Sequence, residues 1–162
     1  MTEELNQAAK SSAMRLLVHR PRSVNEIRQR LLERFDSGIV STIIVWLVEN
    51  ELVDDEKFAI WWTESRCKQK LLSVAMIRKE LLEKGIHRNL IEKALKNIDD
   101  AKNAQLLADR ISRTFDKSNP DTFKRKLYGR LLRRGFSSSL AITSVENALD
   151  SSRKTNAISL ES

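Results

Sequence analysis

A chain of 162 residues, 41% of them hydrophobic, can hold one ordinary domain or a few small repeated units around a packed interior. Four glycines and two prolines are too few for a hairpin-rich β architecture or for long irregular segments. The net charge of +7, with a pI near 9.8, favours a polyanionic partner and says nothing about fold. No apolar run approaches the roughly 18 residues that cross a bilayer, and "MTEELNQAAK" lacks the pattern of a secretory signal. The expected location is therefore cytoplasmic, without a membrane partner. Cys67 is the only cysteine, so an intrachain disulfide is excluded and the thiol reads as packing.

In chain order, the first helix is expected over residues 5–18, where Leu5, Ala8, Ala9, Ala13, Leu16 and Leu17 share a stripe that ends before Pro21. Ser23 followed by Glu26 is a capping box opening a second helix. Asp36 caps a third over 37–49, with Ile39, Ile43 and Leu47 in line. Asp54 opens a fourth over 55–70 that carries Phe58, Ala59, Trp61 and Trp62. A fifth carries Ile77, Leu81 and Leu82 and stops at Gly85; a sixth, over 87–98, starts at His87 and carries Leu90, Ala94 and Ile98. The seventh spans 101–115 with Ala104, Leu107, Ala108, Ile111 and Phe115. Asn119-Pro120 starts the eighth, which stops at Gly135, and Ser137 caps the ninth, over 137–149, with Leu140 and Val145. Residues 150–162 show no capped periodic segment and are expected to be a flexible tail.

Three of these segments repeat at an offset of fifty: Ile27, Ile77 and Leu127; Leu31, Leu81 and Leu131; Leu32, Leu82 and Leu132. Arg34, Lys84 and Arg134 follow as outward basic residues. Glycine then ends the second and third copies, whereas the first runs directly into Phe35. Phe35, Ile86 and Phe136 each precede a cap, and Val40, Ile91 and Ala141 lie four residues after it, the spacing of a hydrophobic staple. The expected fold is all-α, about nine short helices in three tandem three-helix repeats. Their boundaries fall at 1–53, 54–99 and 100–149, with the tail at 150–162. Units this small must share surface with their neighbours, so the chain is expected to be elongated and curved.

No catalytic pattern emerges. His19 and His87 stand apart, without a Cys/His cluster, and there is neither a GxxxxGK[ST] nor a GxGxxG cradle. No enzyme activity, cofactor or metal is expected. Asp54-Asp55-Glu56 and Asp99-Asp100 recur at helix starts, where a carboxylate complements the helix dipole more readily than it holds a metal. Trp61 and Trp62 point about 100° apart on a helix, so one faces the core and the other is partly exposed. With Arg78 and Lys79 they form a possible second contact for protein. The strongest signal is Lys124, Arg125, Lys126, Arg130, Arg133 and Arg134, six cations in eleven residues without an interleaved acid. Such a stripe repels itself unless an anion relieves it. From Asp100 to Gly135 ten basic residues face four acidic ones, so the third unit carries most of the charge.

The segments "RSVNEIRQRLLERF", "LVDDEKFA", "MIRKELLEKGI" and "RKLYGRLLRRGF", in that order, resemble the RecX family of regulatory proteins over roughly residues 8–149. The resemblance implies three helix-turn-helix-like units in a crescent. It also implies a non-enzymatic monomer that lodges in the groove of the RecA recombinase filament on single- or double-stranded DNA. There it restrains ATP hydrolysis and strand exchange. The six cations would then face the filament and its DNA. A stand-alone helix-turn-helix DNA-binding regulator is the alternative, with 37–49, 87–98 and 137–149 as recognition helices; "GIVSTIIVWLVE" in the first lacks base-reading side chains, whereas the second offers Arg88 and Asn89. A purely structural adaptor is a third reading.

A compact chain of this length has a radius of gyration of roughly 15 Å. Small-angle scattering is expected to give a larger value, and one at or below that figure would contradict tandem stacking.

Overall fold

The computed structural model describes residues 2–115 and 119–160, with side chains over 3–115 and 119–151. Among the described residues there are nine α-helices and no strand: α1 Thr2–His19, α2 Val24–Leu32, α3 Ser37–Glu49, α4 Asp55–Ser65, α5 Val74–Glu83, α6 Arg88–Leu95, α7 Asp100–Ser112, α8 Pro120–Arg133 and α9 Ser138–Leu160. The all-α tandem three-helix fold is thus in place. Helix α9 runs on through much of the segment expected as a tail, since no glycine or proline follows Gly135 to stop it. Glu161 and Ser162 lie outside the described residues.

Caps set where the helices begin. Ser23 and Glu26 form the reciprocal box, Asp36 accepts the Gly38 and Ile39 amides, and Asn119 accepts that of Thr122 ahead of Pro120. His87 occupies its cap position without making a capping bond; its ring contacts Asn89 Oδ1 at 2.7 Å instead. A cap is worth about 1 kcal/mol, whereas one buried Leu or Ile side chain contributes about 2 kcal/mol. Burial therefore holds these helices together and the caps fix their ends.

By packing, the chain divides into two compact units, Met1–Thr63 with Arg78–Lys96, and Glu64–Ile77 with Asn97–Ser162. The first is built around Ala9, Ala13, Ile27, Leu31, Val40, Ile43 and Leu47. The second is built around Leu107, Phe123, Leu127, Leu131, Phe136 and Ala141. The repeated Leu31, Leu81 and Leu131 are buried, as the spacing requires. Leu32, Leu82 and Leu132 are not: they are 47%, 44% and 38% exposed, because one residue further along turns the side chain about 100° away from the core. In α6 the buried residues are Ile91 and Leu95, rather than the expected Leu90, Ala94 and Ile98.

One joint recurs in both units. At the end of α5, Gly85 (φ 75°) closes a Schellman turn in which Ile86 N–H reaches the Leu81 carbonyl and Gly85 N–H that of Leu82. The start of α2 is set against this end. Ser23 Oγ donates to the Lys84 carbonyl at 2.7 Å, and a Cβ on Gly85 would lie 2.6 Å from Asn25 Cβ. Fifty residues on, Gly135 (φ 88°) ends α8, Ser73 N–H donates to the Arg134 carbonyl at 3.0 Å, and a Cβ on Gly135 would lie 2.5 Å from Ser73 Oγ. Aspartates complete each joint: Asp55 Oδ1 accepts Val24 N–H at 2.9 Å and Asp100 Oδ1 accepts Val74 N–H at 2.7 Å. So the paired acids do complement helix starts. Asp54 and Asp99 cap their own helices, while Asp55 and Asp100 serve α2 and α5.

Where a glycine is missing, the chain compensates. The expected helix over 55–70 widens into a π turn at Arg66–Lys70, and Leu71 adopts a left-handed conformation (φ 49°, ψ 55°). That strain is held by burying the Leu71 side chain in the second core. The first copy, ending at Phe35, closes without any left-handed residue, through Arg34 and Phe35 amides on the Leu31 carbonyl.

The first joint also carries an ion cluster. Glu26 accepts from Arg20 at 2.8 Å and from Lys84 at 2.7 Å. Lys84 Nζ sits 4.2 Å from the centroid of the Trp62 ring, whose Nε1 donates to Glu80 at 2.8 Å. Burial alone would raise the Glu26 carboxyl, but the bonds from Arg20, Lys84 and Ser23 N–H overcome it and hold its pKa at about 2. A carboxyl depressed in the folded state adds stability above its unfolded pKa and loses it as pH falls toward the folded value. The first unit is expected to lose roughly 2 kcal/mol between about pH 4.5 and pH 2 through this group. Urea titrations across that window should show the loss, and Glu26→Gln should flatten it.

Candidate functional site

Helix α8 sorts its residues by angle. Phe123, Leu127 and Leu131 recur every four positions and are buried, which leaves Arg125 and Gly129 on the far side of the helix and Arg130, Lys126 and Arg133 along one flank. These five line a cavity of about 530 Å³, together with Thr114 and Phe115 from the segment that follows α7. Phe115 is fixed there by an edge-to-face contact with Phe123, at 6.4 Å between centroids and 88° between planes. No acidic side chain appears among the described lining residues, and none of the four cationic side chains is paired with a described residue.

Not all six predicted cations belong to this surface. Lys124 turns toward a smaller cavity of about 310 Å³, shared with Arg125, Tyr128, Ile142, Val145 and Glu146. Arg134 is used internally: its guanidinium donates to the Lys70 carbonyl, and its own carbonyl accepts from Ser73. The repeated basic position thus points outward only at Arg34, because Lys84 and Arg134 are both drawn into joints.

Of the second candidate contact, Trp61 is 36% exposed and Trp62 only 8%, which is the split expected of adjacent helical residues. Arg78 makes a two-pronged pair with Glu92 at 2.9 and 3.0 Å, and Lys79 lies 4.0 Å from Glu83. Trp61 is therefore the member of that group with an outward ring. Cys67 is half-buried beside Asn103, and burial pushes its thiol pKa up, which suits packing rather than nucleophilic chemistry. Among the described residues no group of His, Cys, Asp or Glu is arranged to hold a metal ion, and no helix is long and apolar enough to cross a membrane.

Gly129 and Thr114 line the cavity without having been among the candidates expected from the sequence. Gly129 did carry a signal, since a lone glycine inside a helical pattern needs a reason. Thr114 carried none.

Sequence models of the three RecX three-helix domains match this chain in order: the first over residues 9–47, the second over 54–95 and the third over 98–141. The chain belongs to the RecX family. It is 32% identical to the regulatory protein RecX of Mycobacterium sp. (strain JLS) over 156 residues, covering 91% of this chain and 85% of that one. It is 30% identical to the RecX protein of Corynebacterium efficiens over 157 residues, covering 91% and 75%. The crystal structure of RecX from Lactobacillus salivarius superposes with a TM-score of 0.72 at 20% identity, over 90% of this chain and 97% of that one, a likeness of fold. A second RecX crystal structure gives a TM-score of 0.70 at 26% identity, over 86% and 70%.

The division within the RRG segment is measurable by thermal unfolding. Arg134→Ala is expected to lower stability by about 1 kcal/mol, a shift of roughly 2–4 °C, whereas Arg133→Ala should remain within about 0.5 kcal/mol of wild type.

Proposed function

We propose that this chain is a monomeric, non-enzymatic cytoplasmic regulator that binds the RecA–DNA filament and restrains its ATP hydrolysis and strand exchange. The observation that carries the reading is the cationic face of α8, Arg125, Lys126, Arg130 and Arg133, unpaired among the described residues and within the third three-helix domain of a RecX-family chain. Phosphates are the abundant anions of a nucleoprotein filament, and neutralising several of them releases counterions. The expected three-unit organisation, at 1–53, 54–99 and 100–149, suits many modest contacts spread along a groove. Trp61 is an aromatic contact candidate for the protein component of the filament.

The stand-alone DNA-binding regulator is less well supported. The outward residues of α3 are mainly Ser41, Thr42, Val45 and Val48, which offer little to base edges. In α6, Asn89 already serves His87 and the Leu90 amide, and in α9 Asn147 donates to Gln105.

The test is DNA-stimulated ATP hydrolysis by RecA with this protein added at substoichiometric amounts. Wild type is expected to inhibit. Arg125, Arg130 and Arg133 all changed to Glu should raise the concentration required at least tenfold, with unfolding midpoints unchanged. An absence of inhibition by the wild-type chain, or equal inhibition by the charge-reversed one, would contradict the proposal.

A further inference from the structure

The four glycines of this chain are not alike. Gly85 and Gly135 have positive φ and no room for a Cβ, and Gly38 sits in the first turn of α3 against its Asp36 cap. Gly129 has none of these reasons. It lies in the middle of α8 with ordinary helical backbone, and the nearest described atom to an added Cβ is Arg133 Nη1, at a comfortable 3.5 Å. A glycine in a helix interior costs about 1 kcal/mol relative to alanine. Among the described residues nothing in the fold requires that cost here. The position nevertheless lines the 530 Å³ cavity together with Arg125, Lys126, Arg130, Arg133 and Phe115, and it is the one lining residue without a side chain.

We infer that Gly129 is the floor of a phosphate seat, a bare stretch of helix on which one backbone phosphate of single-stranded nucleic acid comes to rest between the cations of α8. A missing Cβ matters only to something that approaches the helix closely. The three guanidinium groups offer forked donors that match phosphate oxygens, which a spread of lysines would not. The stripe from Arg125 to Arg133 is roughly 12 Å long at 1.5 Å per residue, so it spans only a few phosphates. A stiff duplex cannot bend over so short a stretch to settle one phosphate among these side chains. A single strand can, and it can also lay a sugar or base against the Phe115 ring. An acidic peptide would satisfy the charge but has no use for the bare floor, since its carboxylates stand on side chains long enough to reach the rim.

The inference rests on the regulator reading for its biological setting, yet it is tested on the protein alone. Fluorescence anisotropy of a labelled oligothymidylate, recorded from 50 to 200 mM salt, gives affinity and salt slope for wild type, Gly129→Ala and Gly129→Leu. Alanine should leave the fold at least as stable and weaken binding about threefold. Leucine should weaken it more than tenfold and make the slope of log K against log salt shallower by about 0.7, the value for one lost single-strand phosphate contact. Wild-type affinity in the leucine variant overturns the seat, as does an alanine variant that is stabilised but binds unchanged. Displacement of the oligonucleotide by polyglutamate at equal charge concentration also overturns it. Running RecA inhibition in parallel separates the two claims. Oligonucleotide binding lost with RecA inhibition intact supports the seat and removes it from the mechanism of inhibition. Oligonucleotide binding kept by the leucine variant sinks the seat whatever RecA does.

Discussion

The structure depends on one contact, repeated: the left-handed glycine that ends one helix is pressed against the first turn of another helix some sixty residues earlier in the chain. Gly85 meets Ser23 and Asn25, and Gly135 meets Ser73 and Met76, at distances that leave no space for a Cβ. Helix ends carry unsatisfied amides and carbonyls, and burying two of them together would be costly. Here the costs cancel. Carbonyls of Lys84 and Arg134 accept from Ser23 and Ser73, and the free amides of Val24 and Val74 are taken by Asp55 and Asp100.

That arrangement decides which cations are left for a partner. The basic residue before each glycine is the one nearest the joint, and in both cases it is consumed there. Lys84 pairs with Glu26 above the Trp62 ring, and Arg134 binds the Lys70 carbonyl. The rest of α8 keeps one face in the core and carries four cations around Gly129 along its flank and far side. One helix thus does two jobs, divided by the 100° step between residues rather than by position along its length.

Much of the fold was legible in the sequence because it is written in local signals. The capping box at Ser23, the Asx caps at Asp36 and Asn119, and the glycine stops act within a few residues of themselves and occupy their expected places. What was not legible depends on partners far along the chain. Asp55 and Asp100 look like ordinary first-turn acids until their acceptors prove to be bonded to α2 and α5. Arg134 looks like one more member of a basic run until the Lys70 carbonyl is found beside it. Leu32, Leu82 and Leu132 are the local exception: they repeat as faithfully as the core leucines, and the 100° step that puts them outside follows from the helix period itself. A basic run reveals charge, not how that charge is shared between the protein and its surroundings.

The joint is tested most directly by a double-mutant cycle on Gly85→Ala and Asn25→Gly, followed by urea unfolding. If the two positions are in contact, the alanine costs about 2–3 kcal/mol in the wild-type background and at least 1 kcal/mol less once Asn25 has lost its side chain. Costs that simply add, to within about 0.5 kcal/mol, would show that the two helix ends do not bear on each other and would contradict the account.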